Sequence, residues 1–561
     1  MGFTIGLDYG TNSARALVVD CSNGREIGTA VVEYPSGQQG VLLEATDHHL
    51  ARQNPADYLF VLERAVRGAM DEAKHNEPGF SVRQVLGIGM DGTGSSPIPV
   101  NQNNVPLAFE EKFGGNLNAQ CWLWKDHTGY AEAAEITEKA KQMRPQYLKK
   151  CGGTYSSEWF WSKLLHCKRT DPEVFNAAYS FVEYCDYIPA MLTGNTKPEK
   201  IIRGICAAGH KAMYCDEWNG LPDKEFLSAL DPALADLRDR LYDKAVTSDQ
   251  PAGKLTAEWA KKLGLKTGIT VAVGAFDAHM GGVGAGIKEG TLVKILGTST
   301  CDMMVMNADK KLADIPGVCG IVKGSILPGY YGIEAGQSAV GDIFLWFINH
   351  LVPSKYGKNQ DQMFVELAKK AVKQKPGEHG LLALDWNNGN RTILVDARLS
   401  GLLLGQTLHT EAHEVYRALI EATAFGALTI IKRIEEYGVP VNEIINCGGL
   451  AVKNPLLMQI YADVTGRPMK ISRSDQTCAV GAAIFGAVAA GAFKTVGEAQ
   501  DAICGVRSKV YNPDQNAHKV YEELYSLYKT LHDAFGTAEW SGNLAHVMKK
   551  LIAIREKQRK S

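Results

Sequence analysis

Short apolar runs alternate with polar turns over residues 1–34, which predicts a β-meander opening an α/β domain. Residues 54–76 carry Ala, Leu, Val and Met at helical spacing and precede an apolar strand at 85–90. Helices are predicted at 130–150, at 157–168 and up to residue 193, where Gly194-Asn195 stops the pattern. A short helix at 254–264 leads to a strand at 269–273, then to the glycine-rich run Gly281-Gly282-Val283-Gly284-Ala285-Gly286. A second series starts with a strand pair around residue 297. It continues with strands near 318–323 and 330–334, and helices at 338–350 and 361–373. A long helical pattern from 409 to 437 is broken by Gly438 and Pro440. A strand at 443–447, a helix at 454–465, a strand at 468–471 and a small-residue helix at 479–490 follow. The junction between the two series falls near 285–290.

Each series contains one short turn of the same chemistry. Asp8-Tyr9-Gly10-Thr11-Asn12-Ser13 lies between apolar strands, and so does Gly297-Thr298-Ser299-Thr300. Glycine admits a ligand close to the backbone, and successive turn amides with hydroxyls form an anion-binding concavity. Two such turns predict a nucleotide phosphate held between two related domains. Asp8 closes the first strand, where a carboxylate can hold the hydrated Mg²⁺ that accompanies nucleotide phosphates or, alternatively, cap the turn. Arg15 adds a planar donor within reach of phosphate oxygens.

In Ala272-Val273-Gly274-Ala275-Phe276-Asp277-Ala278-His279 an apolar strand delivers Asp277 to the start of the glycine-rich helix. A carboxylate so placed can take the proton of an attacking hydroxyl; its structural alternative is a helix cap. His279 reads as structural. Asn446-Cys447-Gly448-Gly449, running to Asn454-Pro455, reads as strand, double glycine and a Pro-started helix, a candidate adenosine site. Ala479-Val480-Gly481-Ala482-Ala483 reads as a helix packed closely on another.

Other motifs fail. Gly87-Ile88-Gly89-Met90-Asp91-Gly92 matches a dinucleotide fingerprint, but Pro97 and Pro99 follow where a helix is required. No P-loop, zinc-protease or nucleophile-elbow motif is present.

Composition narrows the partners. A net charge of −2 gives no electrostatic case for nucleic acid or an anionic membrane. Twelve cysteines form no C-x-x-C pair and suit buried thiols in a reducing compartment. With no signal-like run at the start of the chain and no run of ~20 apolar residues, a cytoplasmic location is expected.

Phosphate turn, glycine-rich helix, second phosphate turn, Gly-Gly turn and small-residue helix come in one order. That order resembles the sugar-kinase, chaperone-ATPase and actin superfamily, and within it the FGGY carbohydrate kinases over nearly the whole chain. Gly89-Met90-Asp91-Gly92-Thr93-Gly94-Ser95, Leu123-Trp124-Lys125-Asp126-His127-Thr128, Cys206-Ala207-Ala208-Gly209-His210-Lys211 and Gly332-Ile333-Glu334-Ala335-Gly336-Gln337-Ser338 resemble the members that act on L-ribulose. The resemblance implies an α/β fold of two actin-like (ribonuclease H-like) domains with a cleft between them. Residues 1–287 would bind the sugar and 288–561 the nucleotide. The implied reaction is ATP-dependent phosphorylation of L-ribulose at its 5-hydroxyl, giving L-ribulose 5-phosphate in L-arabinose catabolism. The implied partner is a small ketopentose; a homodimer is compatible with this reading, and nucleic acid and membranes have no part in it.

By the same resemblance Asp277 is the catalytic base, and Asp8 and Asp277 sit at Mg²⁺. Thr11, Asn12, Ser13, Arg15, Gly297 and Thr298 face the phosphates of ATP. Gly448, Gly449 and Asn454 line the nucleoside site. Ser96, Asp126, Lys211 and Glu334 meet the sugar, with a purely surface role as the alternative for each; Trp124 is a sugar-stacking wall or core packing. Two departures from the general family stand out. Its usual Lys-Leu-x-Trp is Lys163-Leu164-Leu165-His166 here, and the spacer between residues 402 and 418 is longer than usual. The competing readings are a kinase for another pentulose or pentitol, such as xylulose or ribitol, and a non-catalytic actin-like ATP switch. A switch protein needs the turns but not the Asp277, Lys211 and Glu334 set.

Overall fold

The computed structural model describes residues 2–560 and contains two principal sheets. The first is built from β1 (Phe3–Tyr9), β2 (Ser13–Asp20), β3 (Glu26–Glu33), β4 (Val85–Gly92), β5 (Pro251–Lys254), β6 (Thr270–Ala272) and β7 (Ala275–Phe276). Its order is β5-β6-β4-β1-β2-β3, with β7 also on β4. β1, β2 and β3 form an antiparallel meander, while β4 runs parallel to β1 and β6 parallel to β4. The second sheet has β8 (Thr291–Leu296), β9 (Thr300–Asn307), β10 (Gly320–Lys323), β11 (Tyr330–Ala335), β12 (Glu443–Cys447) and β13 (Met469–Ile471) in the order β10-β11-β9-β8-β12-β13. Again β8, β9 and β11 form the antiparallel meander, and β12 and β13 add in parallel. Apart from the edge strands, the two sheets share one strand order, so the chain repeats one topology.

Strand burial explains the near-continuous apolar runs. All seven residues of β1 are buried, as expected of a strand covered on both faces. On one face lies α1 (Pro55–Asn76), whose N-terminus is capped by Asn54 with proline in the first turn.

On the other face of the first sheet lies a helix from far along the chain. α2 (Asp277–Gly284) and α3 (Thr477–Ala489) pack on one another, and α3 lies across β1 and β4. Residues of α3 share the apolar core of the first sheet, with Ala479, Ala483 and Ile484 fully buried. The sheets separate between α2 and β8, yet a linear boundary there divides the strands and not the helices.

This packing accounts for the false dinucleotide motif. A Cβ at Gly87 would lie 2.0 Å from the Gly486 carbonyl oxygen, and one at Gly89 1.8 Å from that of Ala482. These glycines admit a helix backbone, not a pyrophosphate. No helix follows Gly92; β4 instead leads to the extended segment Pro97–Val100.

A third core, built of helices between residues 107 and 241, hangs from the first domain. The helix Gln515–Gly536 is absent from the sequence reading. Its buried Tyr521, Leu524, Tyr528 and Leu531 recur at helical spacing, so the signal was present in the pattern. Every cysteine is free, and no helix among the described residues is long and apolar enough to cross a membrane.

The helix contact makes a sharp expectation. Gly89→Ala must push backbone against backbone, so it should cost about 3 kcal/mol or more and lower the melting temperature. Gly115→Ala, with nothing within 4 Å of the added carbon, should melt like the parent.

Candidate active site

Three carboxylates collect at the carboxyl ends of adjacent parallel strands, where open α/β sheets place ligands. Asp8 on β1 is in register with Asp91 on β4, and Ala275 of β7 pairs with Asp91. Asp277 follows directly as the first residue of α2. Asp91 is fully buried and both of its oxygens lack a hydrogen-bond partner. Burial, then Asp8 and Asp277, raises its carboxyl well above the ordinary range. Burial pushes Asp277 up to about 7, with Asp8 adding to the effect. Asp277 Oδ1 accepts a 2.7 Å hydrogen bond from its neighbour Ala278 N–H. Arg15 Nε lies 3.2 Å from Asp8 Oδ2, so the structure brings Arg15 to this cluster. Unpartnered buried carboxylate oxygens beside two further carboxylates are the hard donor set that suits a Mg²⁺-type cation.

The first turn follows Asp8 directly, joining β1 to β2, and the second joins β8 to β9. In the first, Gly10 N–H donates to Ser13 O, and Tyr34 OH donates to Gly10 O. Trp124 Nε1 donates to Thr11 Oγ1 at 3.0 Å and Gln53 Nε2 to Thr11 O at 2.7 Å. Thr11 therefore keeps its own hydroxyl proton for a ligand. Asn12 is exposed, its amide resting on Gln39 O. In the second turn Gly297 and Thr298 are exposed. Beneath them the buried ion pair of Lys294 with Asp302, at 2.7 Å, stiffens the hairpin. The amides of Val340, Gly341 and Asp342 bond to the Thr298 and Gly297 carbonyls, holding the helix Gly341–Leu351 against the turn. Gly448 and Gly449 are exposed beside it, and a Cβ at Gly448 would lie 2.4 Å from Leu296 O. Its φ of +91° also favours glycine.

Lys211 and Glu334 bridge the two halves. Lys211 ends the helix Ile205–Lys211, and Glu334 lies on β11. Lys211 Nζ is 3.3 Å from both Glu334 oxygens. Burial alone would raise the Glu334 carboxyl, but Lys211, followed by His210, His279 and Arg391, holds it well below the usual range. Ser96 is fully buried and its hydroxyl has no partner, while its N–H donates to Glu183.

Two expected residues have other work. Asp126 is completely buried and ion-paired with Arg52. It also accepts from Ala51 N–H, Thr128 N–H and Thr128 Oγ1. Its lone pairs are consumed within the protein, which removes it from the sugar-facing set. Asn454 caps the helix Pro455–Thr465 through Leu457 N–H and donates to Tyr416 OH. Its amide thus already makes two bonds within the fold, which leave one N–H and one oxygen lone pair over.

Several groups escaped the sequence reading. Lys163 is buried and donates to Ser95 O and Leu123 O, each at 2.7 Å, holding the loop that carries Ser96. Burial lowers its ammonium to about 8. Glu183 grips the same loop through Ser95 and Ser96. Arg391 donates to Thr300 O at 2.6 Å from a long loop. Glu183 lies 88 and 87 residues from the two serines it holds, and no local pattern marks it; Lys163, 68 residues from Ser95, opens the Lys-Leu-x-Trp counterpart but had no role assigned to it. Asp91 had a signal in its own strand: a charged residue in an apolar parallel run.

Comparison with known proteins follows the same outline. The N-terminal domain of the FGGY family of carbohydrate kinases matches residues 3–284, and its C-terminal domain matches residues 292–490. A ribulokinase of Shouchella clausii is 42% identical, covering 99% of this chain and 98% of that protein. A ribulokinase of Vibrio parahaemolyticus is 40% identical over 94% of this chain and 95% of its own length. The crystal structure of a xyloylose kinase from Brucella ovis superposes with a TM-score of 0.77 at 20% identity, covering 95% of this chain and 99% of that one.

The reassignment of Asp126 can be checked. Asp126→Ala strands the Arg52 charge in the interior and should cost about 3–5 kcal/mol. The melting temperature should fall, while the acceptor KM of the folded protein stays unchanged.

Proposed function

This chain belongs to the FGGY family of carbohydrate kinases, and on that premise we propose that it transfers the γ-phosphate of ATP to the 5-hydroxyl of L-ribulose. The observation that carries the reading is the position of Asp277. It starts the helix that follows β7, whose Ala275 pairs with Asp91, and Asp8, Glu334 and Lys211 all act on its carboxyl. The near-full-length relatives that bear the name ribulokinase support the choice of acceptor.

The ketose binds where the helix ending in Lys211 meets β11. Lys211 donates to its oxygens, Glu334 accepts from a hydroxyl, and the free hydroxyl of Ser96 adds a third contact. Asp277 takes the proton of the 5-hydroxyl as that oxygen attacks the terminal phosphorus. Phosphoryl transfer is chiefly positioning and charge neutralisation. The amides and hydroxyls of the two turns bind the phosphate oxygens, and Gly448 and Gly449 let the nucleoside lie on bare backbone. Asp8 and Asp277, with Asp91 beside them, would hold Mg²⁺, which when bound neutralises phosphate charge. Lys211 and Glu334 belong to different halves, so acceptor binding draws the cleft together and excludes water.

A base must be ionised to act. Because burial pushes Asp277 up to about 7, kcat/KM for the sugar should fall as pH drops below about 7. Mg²⁺ held by the same carboxylate lowers that value, so the limb should move to lower pH as Mg²⁺ is raised, and a pH profile indifferent to Mg²⁺ would argue against this assignment. Asp277→Asn should retain ATP binding and lose turnover by about 10²–10⁴-fold. An ADP-release assay across ketopentoses and pentitols tests the acceptor: L-ribulose should give the highest kcat/KM, and preference for xylulose or ribitol would overturn it.

A further inference from the structure

Every carbonyl of the second turn, Gly297-Thr298-Ser299-Thr300, is taken by the protein itself. Gly341 N–H donates to Gly297 O at 3.1 Å, and the Val340 and Asp342 N–H groups donate to Thr298 O at 2.7 and 3.1 Å. Gly297 N–H donates to Ser299 O at 3.0 Å, and Arg391 Nη2 donates to Thr300 O at 2.6 Å. Among the described residues, no protein group accepts from the N–H of Thr298 or Ser299. An anion at this turn therefore meets N–H dipoles and hydroxyls, with the carbonyl oxygens turned away.

Gln337 holds this arrangement from the neighbouring segment. Thr300 N–H donates to Gln337 O at 3.0 Å, and Gln337 N–H donates to Thr300 Oγ1 at 2.9 Å. The chain running on from Gln337 supplies the Val340, Gly341 and Asp342 amides. The Gln337 side chain is fixed in turn. Its Nε2 donates to Asp385 Oδ2 at 2.7 Å and to Thr423 O at 2.8 Å. Tyr528 OH, on the helix Gln515–Gly536, donates to Asp385 Oδ1 at 2.8 Å. Gln337 and Asp385 are both buried, and neither has a part in the reaction described above.

Two glycines make room for these bonds. Gly426 lies inside the helix Ala412–Glu436, where glycine weakens a helix relative to alanine. A Cβ there would lie 2.3 Å from Asp385 Oδ2 and 2.7 Å from Gln337 Nε2. A Cβ at Gly336 would lie 2.1 Å from Thr300 O and 2.5 Å from Arg391 Nη2.

We propose that Gln337 and Asp385 are positioning residues for the phosphates of ATP. Asp385 fixes the Gln337 side chain, and Gln337 fixes Thr300 and the segment that keeps the carbonyls of the turn away from the ligand. This rests on the reading of the second turn as a phosphate site. A loosened turn presents carbonyl oxygens to the phosphates, so the loss falls on ATP and spares both the bare nucleoside and the sugar.

Calorimetry on the full-length protein with ATP, adenosine and L-ribulose tests it. Gln337→Met, close in volume but without an amide, should weaken ATP roughly 10-fold and leave adenosine and L-ribulose unchanged. Asp385→Ala should do the same. Asp385→Asn, whose side chain can still accept from Gln337, should recover most of that loss. In a Gln337→Met background Asp385→Ala should add nothing. Equal weakening of all three ligands, or a full further loss in the double variant, would show a general disturbance of the fold and overturn the inference. Thr298→Glu, which sets a like charge in the turn, checks the reading beneath it and should weaken ATP while sparing adenosine. Unchanged ATP affinity in Thr298→Glu would overturn both. Weakened ATP there, with unchanged ATP in Gln337→Met, would overturn the positioning role alone. Should Gln337→Met fail to melt cooperatively, Tyr528→Phe, which touches Asp385 and not the turn, gives the same test with the same direction expected.

Discussion

Everything in this molecule depends on two helices meeting backbone to backbone. A Cβ at Gly481 would lie 1.9 Å from Met280 O, and one at Gly284 2.0 Å from Thr477 O. Only glycine permits that approach, and the approach places α2 and α3 between the sheets. Because Asp277 is the first residue of α2, the same contact aims it at the ends of β1 and β4. A helix separated from the first sheet by almost the whole chain thereby becomes part of its core. The site is thus set by backbone contact and not by the reach of flexible side chains.

Electrostatics then divides the cleft. At the ends of β1 and β4 three carboxylates crowd together, and burial with mutual repulsion raises Asp91 and Asp277. Where the helix ending in Lys211 meets β11, Lys211 outweighs burial and holds the Glu334 carboxyl well below the usual range. Asp277 and Glu334 are therefore pushed in opposite directions, as the proposed roles of base and hydroxyl acceptor require. Such separation is how one cleft supports both proton transfer and hydroxyl recognition. Lys211 and Glu334 come from different halves, so their ion pair forms only when the halves are together.

The local patterns carried far. Apolar runs and turn residues placed the β-meander, the strand at Glu443–Cys447 and the proline-started helix after Asn454 close to where they lie. The two Gly-Thr turns were legible as hairpins because each separates two apolar runs, which pair as antiparallel strands. Asp277 was legible because an apolar strand delivers it to a helix start. The amphipathic spacing of Tyr521, Leu524, Tyr528 and Leu531 was equally legible and went unread.

The partners of buried polar groups were not legible. Asp126 and Arg52 are 74 residues apart, and nothing local says that one neutralises the other. Asn454 reads as a nucleoside contact in the sequence, and only the fold shows Leu457 N–H on its side chain. Gly87 and Gly89 fit a dinucleotide fingerprint until the α3 backbone is found against them. By itself the sequence determined the elements, the repeated turn chemistry and the residue types available for phosphoryl transfer, because these follow from local periodicity and backbone freedom. Only the tertiary structure decided which charges pair, which glycines make room for a helix and which carboxylates stay free for a ligand, because burial and distance across the fold set those energies.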